Sequence, residues 1–275
     1  MEIIIAQRAG ACYGVGRALD MVLKASEELS CVHTLGPLIH NPYVVADLES
    51  RGIGVVDNVD QPKGSAIVIR SHGVVPEIID EARARGLEVI DATCPYVKKV
   101  HMAAEKFSRE NYQVIIVGEA GHPEVEGIKG HAKDALIIGS VEAASNLDFY
   151  QKIGVVVQTT QSSALLKDIL CVLVDKCSEL RVKNTICSAT TERQAAALEL
   201  ACKVDSMIVI GGKMSGNTTR LYEICSQRCS NTHHIESADE LDPLWFSQVD
   251  TVGITAGAST PESHIQQVVE AIKQI

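Results

Sequence analysis

At 275 residues the chain is long enough to bury a sizeable core, in roughly one to three compact units. Hydrophobic residues make up 46% and charged residues 22%, and no apolar run approaches the ~20 residues that cross a bilayer. A net charge of −10 with no dense lysine or arginine cluster excludes a general nucleic-acid surface, which needs basic side chains to neutralise phosphates.

The segment Met1-Glu-Ile-Ile-Ile-Ala-Gln-Arg has no basic region followed by an apolar stretch and cleavage site, so the reading is a cytoplasmic protein. Nine cysteines, an odd number without secretory features, fit reduced thiols, metal ligands or buried apolar residues better than a disulfide framework.

In chain order, Ile3 to Ala6 reads as a strand, followed by a glycine-bearing turn at Cys12 and a helix from about Arg17 to Leu29. His40-Asn41-Pro42 lies between a short apolar segment and a helix. Ala66 to Arg70 is strand-like and leads into Ser71-His72-Gly73, with a helix from Pro76 to Arg85. Glu88 to Ile90 ends near Cys94, and Pro95 suits the first turn of a helix over Tyr96 to Ser108. The strand Val114 to Gly118 precedes Gly121-His122-Pro123-Glu124, and Ala135 to Ile138 is a further strand. Gly154 to Val157 precedes Gln158-Thr159-Thr160 and a helix from Ser163 to Val174. Hydroxyl residues after Cys187 supply caps for an alanine-rich helix to about Ala201. Met207 to Gly211 leads to Ser215-Gly216-Asn217 and a helix over Thr219 to Cys229. Finally Thr251 to Thr255 leads to Ser259 and a helix over Glu262 to Ile275.

Strands alternating with helices predict α/β units with mainly parallel sheets. Cys12, Cys94 and Cys187 divide the chain into nearly equal parts, giving three units expected at 1–94, 95–187 and 188–275. Each of these cysteines sits just before a helix start, where free backbone N–H groups and the helix dipole stabilise a thiolate, so three thiolates can share one electron-rich centre.

In parallel α/β folds ligands bind at the carboxyl ends of strands. The residues there are His40, His72, His122, Thr159, Thr160, Ser215, Asn217 and Ser259, with glycines such as Gly216. Side-chain donors and backbone N–H groups of this kind bind phosphate oxygens without a lysine cluster. Glu124 adds a carboxyl group suited to proton transfer in a dry site. Ser215 and Asn217 read equally well as helix caps or as ligands. Cys31, Cys171, Cys177, Cys202, Cys225 and Cys229 read as ordinary small residues. Cys225 and Cys229 share a helical face without the further partners that a zinc site needs.

The motifs Ala-Cys12-Tyr-Gly-Val-Gly-Arg-Ala, His40-Asn-Pro-Tyr-Val-Val, Ser-His72-Gly-Val, Asp-Ala-Thr-Cys94-Pro, Gly-His122-Pro-Glu124-Val-Glu-Gly, Gln-Thr159-Thr160, Cys187-Ser-Ala-Thr-Thr-Glu-Arg-Gln, Ser215-Gly-Asn217 and Thr-Ala-Gly-Ala-Ser259 closely resemble the LytB/IspH family of 4-hydroxy-3-methylbut-2-enyl diphosphate reductases, in order and from about Ile4 to the last helix. The resemblance implies a trefoil of three α/β units around a 4Fe-4S cluster, held by thiolates matching Cys12, Cys94 and Cys187, with one iron left open. It implies reductive removal of the allylic hydroxyl of (E)-4-hydroxy-3-methylbut-2-enyl diphosphate, giving isopentenyl and dimethylallyl diphosphates, the last step of the non-mevalonate isoprenoid route. By the same pattern His40, His72, His122, Ser215, Asn217 and Ser259 bind diphosphate, with Thr160 and the Gly216 N–H alongside. Glu124 and Thr159, next to His122, serve proton delivery. A ferredoxin or flavodoxin is the implied electron donor, and no nucleic acid or membrane is implied.

Two motifs depart from the family pattern: Gly216 stands where many relatives carry Ser, and Arg70-Ser71-His72 stands where they carry Ser-Ala-His, with His72 retained. Two other readings stay open at this point, a zinc-dependent hydrolase with Glu124 as base and an iron–sulfur sensor without a proton donor.

Overall fold

The computed structural model describes residues 1–62 and 66–275. The chain opens with β1 (Glu2–Ile5) and α1 (Tyr13–Glu28). A four-stranded sheet follows, made of β2 (Val32–Leu35), β3 (Gly54–Val56), β4 (Ala66–Ile69) and β5 (Glu88–Asp91), with α2 (Pro42–Ser50) and α3 (Pro76–Ala84) between strands. The second sheet holds β6 (Gln113–Val117), β7 (Leu136–Ile138), β8 (Tyr150–Val157) and β9 (Cys177–Val182), accompanied by α4 (Pro95–Arg109), α5 (Pro123–Lys129), α6 (Val141–Ser145) and α7 (Ser163–Leu173). The third is built from β10 (Ser206–Ile210), β11 (Thr232–Ile235) and β12 (Thr251–Ala256), with α8 (Ser188–Ala201), α9 (Gly216–Ser226) and α10 (Glu262–Lys273).

The strand orders are β3-β2-β4-β5, β7-β6-β8-β9 and β11-β10-β12-β1, and every pairing is parallel. Numbered within each sheet, this is one topology, 2-1-3-4, used three times. In the third sheet the fourth place is taken by the amino-terminal strand: Ile3 aligns with Val252 and Ile5 with Ile254. Segment 1–12 therefore contributes its strand to the sheet of the carboxy-terminal segment rather than to that of residues 32–91, which sets the chain apart from a contiguous division at 94 and 187. Each of Cys12, Cys94 and Cys187 follows the fourth strand of a sheet, namely β1, β5 and β9.

Two compact units result. One comprises Met1–Gly16, Ile39–Leu48 and Ser188–Ile275, the other Arg17–Leu38 and Glu49–Cys187. In the first, the two faces of one sheet are separately buried, as period-2 side chains require. Ile208, Ile210, Val252 and Ile254 pack with Ile265, Val268 and Ile272 of α10. Met207 and Val209 pack on the opposite face with Leu200, Leu221, Cys225 and Cys229. These last two cysteines are core residues, and burial pushes the Cys225 thiol up to about 12, with the neighbouring Cys229 adding to the shift.

The other unit carries two sheets. Val114, Ile116 and Val156 pack against Val100, Ala104 and Phe107 of α4, while Ile115, Val155 and Val157 face Leu166, Ile169 and Leu173 of α7. Leu35, Val56, Ile67 and Ile69 form the core of the remaining sheet with Val74 and Ala82. Among the described residues no helix is long and apolar enough to cross a membrane.

Gly154 of β8 lets α4 approach: a Cβ there would meet Phe107 Cγ at 2.6 Å and Cδ2 at 2.8 Å. Gly154→Ala should destabilise the protein by ~1–3 kcal/mol, the usual cost of overpacking a core. Urea unfolding followed by circular dichroism reads this as a lower midpoint with an unchanged slope.

Candidate active site

The acid lies where β6 and β8 end. Gly121 turns the chain after β6, and His122 takes the N-cap of α5, its Nδ1 accepting a hydrogen bond from the Glu124 N–H at 3.1 Å. An accepting Nδ1 puts the proton of the neutral ring on Nε2. Glu124 follows in the first turn and is only 2% exposed. Its Oε1 accepts from the Thr159 N–H at 2.6 Å, and its Oε2 is 2.8 Å from Thr159 Oγ1. Burial pushes the carboxyl group up to about 7, against the two Thr159 bonds that favour the ionised form. Because the backbone N–H can only donate, Oε1 is committed as an acceptor, and the proton of the neutral acid belongs on Oε2, facing the Thr159 hydroxyl.

Thr159 also fixes a cysteine. Its carbonyl accepts from the Cys187 N–H at 2.9 Å, so one residue ties Glu124 to the approach of α8. Gln158 braces the same turn: its Oε1 accepts from Glu119 N–H at 3.0 Å and its Nε2 donates to Thr160 Oγ1 at 3.2 Å. Thr160 is thus engaged with Gln158 rather than with the acid.

Within the same unit, the His72 ring meets His122 edge-on at 5.6 Å. The turn that carries His72 closes at Gly73, with φ of +74° and no room for a side chain, since a Cβ would sit 2.7 Å from His101 Cε1. Burial holds His101 down at about 3, so it is a neutral packing partner beneath the turn, stacked on His131 at 4.2 Å. Ser71 supplies the other support. Its N–H and Oγ both donate to Leu38 O, and its carbonyl accepts from Cys94 N–H at 3.0 Å. Cys94 is the N-cap of α4, with Pro95 at the first helical position as expected.

In the other unit, the Cys12 N–H donates to Ala258 O at 3.0 Å, and its carbonyl accepts from Gly16 N–H as α1 begins. The loop ahead of it is clamped by Arg193 of α8, 3% exposed, whose Nε donates to Arg8 O at 3.0 Å and whose NH2 group donates to Gly10 O at 2.8 Å. Ser259 donates from Oγ to His40 O at 3.2 Å, and the buried Asn41 returns a bond from Nδ2 to Ser259 O at 2.8 Å. This exchange fixes the His40 backbone against the loop after β12. Gly212 permits the loop after β10 to come equally close, for a Cβ there would lie 2.6 Å from His40 O.

Ser215 is the N-cap of α9, its Oγ accepting from Thr218 N–H at 3.4 Å. That bond takes the third N–H of the helix and not those of Gly216 and Asn217, which remain suited to an anion. Asn217 is no cap. It lies in the first turn, 3% exposed, with neither Oδ1 nor Nδ2 hydrogen-bonded, a state that costs free energy unless a polar ligand completes it.

The structure therefore joins His122, Glu124, Thr159 and Cys187 directly, sets His72 against His122, and separately links Cys12, His40 and Ser259 through neighbouring backbone. Sequence reading passed over Arg193, Asn41, Gln158 and Ser71 as supports. All four lie inside motifs that the sequence singles out, but nothing local in those motifs marks them as supports. Among the described residues no three His, Cys, Asp or Glu side chains form a group placed to hold a single metal ion.

Comparison with known proteins agrees with the motifs. The family model described as LytB protein matches residues 3–273. A 4-hydroxy-3-methylbut-2-enyl diphosphate reductase of Geobacter metallireducens is 48% identical over all of this chain and 98% of its own length. One of Caldanaerobacter subterraneus is 46% identical with the same coverage. Among solved structures, an (E)-4-hydroxy-3-methyl-but-2-enyl diphosphate reductase described as the terminal enzyme of the non-mevalonate pathway aligns over 100% of both chains with 44% identity and a TM-score of 0.74. The Plasmodium falciparum E-1-hydroxy-2-methyl-but-2-enyl-4-diphosphate reductase aligns over 98% of this chain and 87% of its own with 30% identity and a TM-score of 0.93. Full-length identity, shared sheets and the motif residues lead to one conclusion: the chain belongs to the LytB protein family.

Proposed function

We propose that this protein reduces (E)-4-hydroxy-3-methylbut-2-enyl diphosphate to isopentenyl and dimethylallyl diphosphates, and that Glu124 is its acid. The observation that carries the reading is the buried Glu124–Thr159 pair, because an acid with its carboxyl near 7 and its proton facing a hydroxyl is built to protonate a leaving oxygen.

The donor set fits an iron–sulfur cluster. Cys12, Cys94 and Cys187 are partly exposed thiols outside any disulfide, at the starts of helices of 16, 15 and 14 residues, soft donors of the kind that iron–sulfur centres take. When bound, such a cluster supplies single electrons and, with three protein ligands, a Lewis-acidic iron.

The chain's own residues perform the remaining work. The net change is an allylic alcohol plus two electrons and two protons giving an alkene and water. Glu124 holds the proton for the leaving hydroxyl at Oε2, and Thr159 passes it by turning its own O–H from donor to acceptor. His40, His72, the Nε2–H of His122, Ser215, Ser259 and the Asn217 amide bind the diphosphate, with the first N–H groups of α9 adding the positive end of a helix dipole. Placing these donors on short turns after buried strands keeps them oriented before substrate arrives.

Anaerobic loading with iron and sulfide, followed by a reductive assay with the allylic diphosphate, tests the whole reading; a fully loaded protein that releases neither product refutes it. Glu124→Gln should keep iron content and substrate affinity while turnover falls by about 10²–10⁴, the range for a lost general acid. The pH profile has a definite sign. An acid donates only while protonated, so turnover should be level below pH 7 and fall about tenfold per unit above it, and Glu124→Gln should abolish that limb. Asn217→Ala should raise KM about tenfold with kcat changed much less, read by steady-state kinetics, since it removes a diphosphate contact and leaves the acid in place.

A further inference from the structure

The reduction consumes two electrons that the chain itself does not generate, so on the reductase reading a carrier must deliver them. A groove of about 650 Å³ lies between α4 and β9, within the unit that carries Cys94 and Cys187. Its charged lining is wholly cationic, Lys99, Lys106, Arg181 and Lys183, on a chain whose net charge is −10. Met102 and Val182, 67% and 40% exposed, add apolar surface in the same groove. Glu110 neutralises the end away from the cysteines, pairing with Arg181 at 2.6 Å and Lys106 at 3.8 Å. At the other end Lys99 stands 5.1 Å over the Tyr96 ring, and neither it nor Lys183 forms an ion pair among the described residues.

We infer that this groove docks a small acidic one-electron carrier protein. Charge complementarity selects the partner: a cationic patch attracts and orients an acidic protein, while the chain's net charge of −10 disfavours an extended polyanion. Exposed apolar side chains beside charged ones, as Met102 and Val182 lie with the lysines here, are the composition of a transient protein interface. The two elements that build the groove also lead to the cysteines. Lys99 lies five residues into the helix that Cys94 caps, a rise of roughly 7.5 Å. Lys183 precedes Cys187 by four residues, at most roughly 14 Å of chain. The cationic end of the groove is therefore the end from which an electron has the shorter path to both sulfurs.

The test uses cluster-loaded protein and a reduced plant-type [2Fe–2S] ferredoxin as probe. Lys99→Glu combined with Lys183→Glu should weaken ferredoxin binding, titrated directly at low ionic strength, about tenfold or more, and raise its KM to match. Added salt should erase the difference from wild type. Turnover driven by reduced methyl viologen should be unchanged, and a control pair on other helices, Lys24→Glu with Lys273→Glu, should bind ferredoxin as wild type does. Unchanged ferredoxin affinity in the groove variant overturns the inference, as does an equal loss in the control pair or a parallel fall with viologen. Absence of viologen-driven turnover in wild type strikes the reductase reading instead, and the binding titration still decides the docking surface.

Discussion

A parallel strand buried on both faces ends abruptly, and its crossover must turn before the next helix begins. In the 2-1-3-4 order the first and third strands lie side by side, and their onward connections leave to opposite faces of the sheet, opening a cleft between them. This protein uses that topology three times, and polar residues follow the central strands: His72 follows β4, His122 and Thr159 follow β6 and β8, and Ser215 and Ser259 follow β10 and β12. The fourth strand of each sheet leads to a cysteine. Topology thus accounts for where these polar residues and the three cysteines stand along the chain.

Within that frame one carboxyl group is treated differently from all the others. Most of the acidic residues with ion-pair partners, such as Glu81, Glu223 and Glu270, lie at the surface. Glu124 is buried with no cation, and two bonds from Thr159 only partly offset the cost of removing it from water. A sequence under selection for stability alone has little reason to keep a carboxyl there. Holding a transferable proton near neutral pH is a reason, and the committed backbone bond to Oε1 gives that proton a single address.

The strong strands and helices were legible because their periodicity reflects burial: Ala66 to Ile69 and Ser206 to Ile210 are wholly buried, and α4 presents one apolar face. β9 and β11 were not, since Cys-Ser-Glu-Leu-Arg-Val and Thr-His-His-Ile carry the polar surface of edge strands. α5 and α6 are too short to show a period. In the site, residue types after strands were readable, but their division of labour was not. Ser215 caps α9 and so starts it at Gly216, three residues before the apolar period suggests, while Asn217, equally plausible as a cap, has a buried amide without a partner. Arg193 was invisible as a support because its partners, Arg8 O and Gly10 O, are backbone atoms far away in sequence.

The return of β1 to the carboxy-terminal sheet has a physical consequence for the first cysteine. Cys12 sits in a loop whose conformation is set by atoms from the other end of the chain: Ala258 O receives its N–H, and Arg193 gathers the carbonyls of Arg8 and Gly10 ahead of it. The Arg193 guanidinium, buried in α8, gives donors to main-chain carbonyls, and such bonds offset part of the cost of taking it out of water. Arg193 lies on the helix that begins after Cys187 while it holds the loop that presents Cys12. One side chain thus couples the backbone at the first cysteine to the helix that begins after the third.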